Sequence, residues 1–155
     1  MKTLIPYVTG GITENWTDYL LACQEAGAGS IEIGLPFSDP MLDGATIQQA
    51  AHQALARGTT VASILADVAR VRDRVHVPLI AMTYANLVFR PGAAEFCRRL
   101  AAAGIDGLIV PDLPVDESAE VQRAAAAAGV DLILLVAPVT PDDRLMLIGA
   151  AAVPS

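Results

Sequence analysis

The chain has 155 residues, a formal net charge of -7, 54% apolar residues and 17% charged ones. That much apolar surface excludes a disordered chain. The acidic balance, with pairs such as Arg98 and Arg99 as the densest basic groups, excludes a nucleic-acid binder, which must neutralise phosphates.

The leading segment "MKTLIPYVTGG" is too short for a signal peptide, because Gly10 and Gly11 end its apolar run. No stretch reaches the roughly 18 apolar residues of a membrane helix, so a soluble, cytoplasmic chain is expected. "LIPYVTG" from Leu4 reads as a first strand. "ENWTDYLLACQEAG" follows as a helix, with an apolar stripe at Trp16, Tyr19, Leu20 and Cys23, Thr13 or Asn15 as cap and Gly27 as stop. "SIEIG" from Ser30 is the second strand. A loop then leads to "TIQQAAHQALARG", a helix from Thr46 closing at Gly58, and to "TTVASILADVARVRDRV", capped by Thr59 or Thr60. "VPLIAMTY" from Val77 is the third strand. "PGAAEFCRRLAAAG" is a helix with Pro91 in its first turn and Gly104 as its stop. "GLIVPD" from Gly107 is the fourth strand, followed by a helix in "VDESAEVQRAAAAAG". "DLILLVAP" from Asp131 is the fifth strand. "TPDDRLMLIGAAA" closes the series as a helix, with Thr140 as cap and Pro141 at its first position.

The strand runs are short, rich in Val, Ile and Leu, and mostly not alternating, which points to strands buried on both faces. The junctions "EAGAGSIEIG", "AAAGIDGLIVPD" and "AAAGVDLILLVAP" repeat one design: helix end, glycine, short turn, buried strand. These are βα units, five in all, and right-handed crossovers make their strands parallel. No linker interrupts them, so residues 1–155 read as one domain. Two α/β architectures fit. One is a doubly wound five-stranded sheet; the other is a (β/α)8 TIM-type barrel with only about five units present, a full barrel needing eight units and about 250 residues.

Both architectures place their sites at the carboxyl ends of the strands. The polar groups there are Thr9, then Glu32 with Ser38, Asp39 and Asp43, then Tyr84 and Asn86, then Asp112. The fifth strand ends in Pro138 and Thr140, with no titratable group before Asp142. Glu32 is the most informative. It lies between Ile31 and Ile33, where desolvation raises a carboxyl pKa toward neutrality. It is either a proton-transfer group or a carboxylate satisfied by a neighbouring donor. Asp43 is either functional or simply the first half of an Asp-Gly turn. Asp39 precedes Pro40 and reads as loop structure. Tyr84 and Asn86 either line a pocket or end a strand, and Asp112 reads as a structural acceptor. His52, exposed on a helix, and His76, before a strand, lack metal-ligand spacing. Cys23 and Cys97 lack CxxC spacing and read as small buried hydrophobes in a reducing compartment. No dinucleotide, Walker, nucleophile-elbow or HExxH motif occurs.

The stretch "IEIGLPFSDPMLDGATIQ" resembles the strand 2 and loop 2 motif of the tryptophan synthase alpha subunit family. "PYVTGG", "MTYANLVFRPG" and "IVPDLPVDES" resemble that family's strands 1, 3 and 4, so the likeness runs along essentially the whole chain. It implies a (β/α)8 barrel and a lyase of tryptophan biosynthesis. The implied reaction is retro-aldol cleavage of indole-3-glycerol phosphate to indole and glyceraldehyde 3-phosphate, with no metal or organic cofactor of its own. By the same resemblance Glu32 matches the catalytic glutamate and Asp43 the catalytic aspartate, while Tyr84 and Asn86 help shape the substrate pocket. The expected partner is a pyridoxal-phosphate-dependent beta subunit that receives the indole in a heterotetramer; neither nucleic acid nor membrane is expected. The alternative is a truncated, non-catalytic barrel that only binds such a partner.

Ala45 stands where the family usually has proline, which suggests a more flexible catalytic loop. The resemblance also ends at the fifth unit. The family's last three strands, its tyrosine after strand 6 and its glycine-rich phosphate loops have no counterpart here, nor does the helix preceding its first strand. Three fates are open for the apolar edges at "LIPYV" and "LILLV": continuation in a longer protein, pairing with a second copy, or closure into a flavodoxin-like sheet.

Overall fold

In the computed structural model, which describes residues 2–152, each of the five apolar runs contains a short strand. β1 spans Tyr7–Thr9, β2 Ile31–Gly34, β3 Leu79–Met82, β4 Gly107–Ile109 and β5 Asp131–Ile133. They pair in the order β1-β2-β3-β4-β5, and every pair is parallel. That order decides between the two architectures. A doubly wound sheet changes direction at a switch point, so its strands do not lie in sequence order. Strands in sequence order joined by right-handed crossovers put their connecting helices on one face. The five units are therefore a sector of a (β/α) barrel wall, and the flavodoxin-like closure is ruled out.

The two faces of the wall differ. Ile31, Ile33, Leu79, Ala81 and Leu108 are wholly buried, whereas their neighbours Glu32, Ile80 and Met82 are half-buried. Alternation along a strand assigns the first set to the helix side and the second to the concave side. This narrows the expectation of burial on both faces: β4 is buried at all three positions, Ile109 included, whereas Glu32, Ile80 and Met82 of β2 and β3 are only half-buried. Runs such as "LIAM" are apolar throughout, but only one of their faces is packed under helices.

The helices are α1 (Thr17–Glu25), α2 (Ala45–Ala56), α3 (Val61–Val71), α4 (Ala85–Phe89), α5 (Ala93–Ala103), α6 (Ala119–Ala128) and α7 (Asp142–Ala152). α3 buries Ile64, Leu65, Val68 and Val71, and α5 buries Phe96, Cys97 and Leu100, in one core cluster with Trp16 and Leu20. Thr60 starts α3 with a capping box: its hydroxyl accepts from the Ser63 N–H at 3.0 Å, and the Ser63 hydroxyl accepts from the Thr60 N–H at 2.9 Å.

Other caps differ from expectation. Trp16 precedes α1 without a side-chain cap, and Asn15 donates instead to Asp18. Pro91 lies before α5, whose cap position is Gly92 at φ +95°. The Thr140 hydroxyl accepts from the Ala137 N–H at 2.8 Å, closing the preceding turn. Ala45 is the first residue of α2, a position proline also suits, so the exchange falls at a helix start rather than within the loop. The short α4 was not evident from periodicity.

The amino ends of β3 and β4 are tied by Arg72. Its Nε donates to the Gly104 carbonyl at 2.7 Å, and its guanidinium reaches Asp106 at 2.9 Å. The same Asp106 oxygen accepts from the Leu79 N–H at 2.8 Å. Gly104, at φ +87°, ends α5 and also makes room for Arg72: a β-carbon there would come within 2.6 Å of Arg72 Cγ. Both cysteines are free, Cys97 buried and Cys23 half-buried. No helix among the described residues is long and apolar enough to cross a membrane.

Candidate active site

Glu32 sits within β2 on the concave face, in register with Tyr7 of β1 and Ile80 of β3. This accounts for an acid in an apolar strand. Ile31 and Ile33 go under the helices, and the intervening side chain turns into the concavity. Burial pushes the Glu32 carboxyl above its ordinary value, as expected. Among the described residues no hydrogen-bond donor satisfies that carboxyl.

Beyond Gly34 the Leu35 N–H still donates to the Met82 carbonyl at 2.9 Å, and the chain then leaves the sheet. The following loop folds back over the strand ends. Its Asp43 N–H donates to the Pro40 carbonyl at 3.1 Å, making a tight turn. Tyr84, one residue before α4, fastens this loop to β3. Its phenol oxygen accepts from the Leu42 N–H at 3.0 Å, and its ring stacks on Phe37 with centroids 5.4 Å apart. The same phenol hydrogen-bonds the Asp43 carboxylate, which lowers that group's pKa; burial outweighs this, and the net displacement is upward. Tyr7 completes the group. Burial is the main cause raising its phenol's pKa, with smaller contributions from the negative charges of Asp43 and Glu32, while the Thr9 hydroxyl beside it acts in the opposite direction. The fold thus gathers Tyr7, Glu32, Asp43 and Tyr84 into one cluster of titratable groups.

The remaining candidates divide. Asp39 is exposed and takes a 3.2 Å bond from its neighbour Ser38, consistent with loop structure. The Asp112 carboxylate accepts from the Ala85 N–H at 2.8 Å, tying the end of β4 to α4 as a structural acceptor. Asn86, exposed on α4, lies on a cavity of about 920 Å³ that Phe37, Tyr84, Asp112 and Leu135 also line. Neither Glu32 nor Asp43 lines that cavity; Tyr84 borders both it and the Asp43 carboxylate. The titratable groups lie in the cluster, and the cavity is adjoining space. Its one cation among the described lining residues, Arg144, is already paired with Asp116 at 2.6 Å. His52 and His76 are exposed, and no group of three potential metal ligands occurs among the described residues.

Sequence reasoning passed over Tyr7, Phe37 and Gln48. Tyr7 was detectable, since it lies two residues before Thr9 and so on the same face of its strand. The roles of Phe37 and Gln48 depend on the path of the loop, which no local pattern reveals.

A family model described as tryptophan synthase alpha chain matches residues 1–153. The tryptophan synthase alpha chain of Gloeobacter violaceus is 49% identical over 143 residues, covering 91% of this chain and 52% of its own. That of a Picosynechococcus species is 46% identical over 151 residues, covering 96% and 57%. Among solved structures, a chain of the tryptophan synthase a2b2 complex from Pyrococcus furiosus superposes with a TM-score of 0.90 at 38% identity, over 96% of this chain and 62% of its own. Tryptophan synthase from M. tuberculosis gives 0.89 at 38% identity, over 96% and 60%. The chain spans just over half the length of the curated relatives it matches.

Proposed function

The chain belongs to the tryptophan synthase alpha chain family, and on that premise we propose that it carries lyase chemistry of tryptophan biosynthesis, the cleavage of indole-3-glycerol phosphate to indole and glyceraldehyde 3-phosphate. The observation that carries this reading is the placing of Glu32 and Asp43 around Tyr7 and Tyr84 at the carboxyl end of β2. The cleavage is a retro-aldol reaction. Indole C3 gains a proton, which makes the ring a cationic electron sink. The side-chain hydroxyl beside C3 loses its proton and becomes a carbonyl as the carbon–carbon bond breaks. The bonding pair returns to the ring, restoring indole.

Glu32, its carboxyl raised toward neutrality, serves to give the proton to C3 and to take one from the hydroxyl. Asp43, as the carboxylate, faces the indole N–H and stabilises the positive charge that develops on the ring. Tyr84 and Asn86 shape the substrate pocket on the side of the large cavity. No metal or organic cofactor enters the scheme. Residues 1–155 act as one partial barrel domain, a reading supported by the one core cluster among the described residues. The expected setting is the cytoplasm.

The expected partner is a beta-type subunit that takes up the indole within a heterotetramer. The loop tip supports this: Met41 and Leu42 are 86% and 62% exposed, an apolar pair beside the working carboxylate. That tip also favours the second reading, a non-catalytic module that only binds such a partner. An indole-release assay run alongside a pull-down with the beta subunit separates the two. Equal indole release by the parent and Glu32→Gln would sink the catalytic assignment.

A further inference from the structure

Gln48 lies in the first turn of α2, facing back toward the loop it follows. Its side-chain amide donates to the Asp43 carbonyl at 2.8 Å and to the Pro40 carbonyl at 3.3 Å. Those carbonyls bracket the turn closed by the bond from the Asp43 N–H to the Pro40 carbonyl. Between them the Leu42 N–H is held by the Tyr84 phenol at 3.0 Å. The segment is thus fixed at its two ends by one glutamine and at its middle by one tyrosine. Its tip, Met41 and Leu42, is exposed and gains little from burial, while Pro40 is buried. We propose that Gln48 is a positioning residue: its amide sets the turn from Pro40 to Asp43 and thereby holds the Asp43 carboxylate toward the concavity that contains Glu32. The proposal rests on Asp43 being the working carboxylate.

The side-chain chemistry fits this task. A glutamine amide carries two N–H donors, and here both go to loop carbonyls; glutamate at neutral pH has none, and methionine keeps the length without a donor. A carboxylate that stabilises developing charge is effective only when it is held in place before the reaction begins. Each lost bond to an exposed loop reduces its closed population by a few-fold, so two together change it about tenfold.

The test uses the 155-residue chain and its Gln48→Met and Gln48→Glu variants. Amide exchange is followed at Leu42 and Asp43, with Val8 and Ile33 as controls for the sheet, and the Asp43 carboxyl carbon is titrated by ¹³C NMR. In Gln48→Met, exchange at Leu42 and Asp43 speeds about tenfold. The Asp43 carboxyl titrates at lower pH because the opened loop admits water, and the sheet amides are unchanged. Gln48→Glu speeds the loop exchange at least as much, while its negative charge near Asp43 raises that carboxyl's titration relative to Gln48→Met. Unchanged loop exchange and an unchanged Asp43 titration in Gln48→Met would overturn the proposal. So would an equal loss of protection at Val8 and Ile33, which would make Gln48 a support of the whole fold. A separate arm follows indole release by Asp43→Asn: a parental rate removes the catalytic reading of Asp43 and leaves the exchange result intact.

Discussion

The phenol of Tyr7 occupies the space that a β-carbon at Gly34 would fill. Gly34 follows Glu32 by two residues on β2 and pairs with Thr9, so Tyr7 leans along the concave face from beside Glu32 toward the start of the Asp43 loop. Gly34 is therefore needed for its missing side chain rather than for its backbone freedom. Gly34→Ala forces the ring aside or bends β2, at a cost of about 1–3 kcal/mol. Urea denaturation should show that loss. The double variant Gly34→Ala with Tyr7→Ala should regain part of it, because the ring that clashes is gone.

Glu32 and Asp43 give the fold a defined dependence on pH. Burial raises both carboxyl pKa values, so the folded chain holds these protons more tightly than the unfolded chain does. Their contribution to stability is complete below the unfolded carboxyl pKa, about 4, and is lost as pH rises through the elevated folded values. Glu32→Gln removes one of the two charges. Its melting temperature should exceed the parent's at pH 7, and the difference should vanish near pH 4. Indole release should meanwhile fall at least about 100-fold. A variant that is more stable yet inactive separates a catalytic carboxylate from a structural one.

The same alternation explains what could be read in advance. All five strands were legible as apolar runs, and the glycine stops at Gly104 and Gly129 both appear as left-handed helix ends. Glu32 stood out because it interrupts such a run. Strand order was not legible, since each βα unit looks alike whichever neighbour it pairs with; only the register from β1 to β5 distinguishes a barrel wall from a doubly wound sheet. The caps of α1 and α7 were misassigned for a local reason. Thr13, Asn15 and Thr140 are all good cap types, but a hydroxyl or amide bonds whichever backbone group the turn presents, and Thr140 met Ala137. Tyr7 and Gln48 escaped notice because their partners lie across a strand or along a loop.

Arg72 offers a control far from the chemistry. Its bonds to Gly104 and Asp106 join the amino ends of β3 and β4, away from the carboxyl ends where Glu32 and Asp43 lie. Arg72→Met keeps part of the stem and removes the donors. Charge-assisted bonds on a partly exposed group are worth about 1–3 kcal/mol in total, and urea denaturation should register that loss. The pH profile of indole release should keep its shape. A shifted profile would mean that the clamp reaches the site.

The edge at β5 is open to association. This strand pairs with β4 alone among the described residues, and the segment after it exposes Leu135 and Val136 at 52% and 57%. Met146 on α7 is 76% exposed. An open parallel edge beside apolar side chains is a template for association, because unpaired backbone groups and apolar surface are satisfied together. Light scattering should therefore give a mass that climbs above 16.1 kDa as concentration rises. Val136→Lys places a charge at that edge and should raise the concentration needed for association about tenfold or more, while thermal stability at low concentration stays within about 0.5 kcal/mol of the parent's. A parent that stays at its monomer mass over the whole range would show that the edge is not sticky. If Val136→Lys associates as readily as the parent, the contact lies elsewhere, and the β1 edge becomes the next to probe.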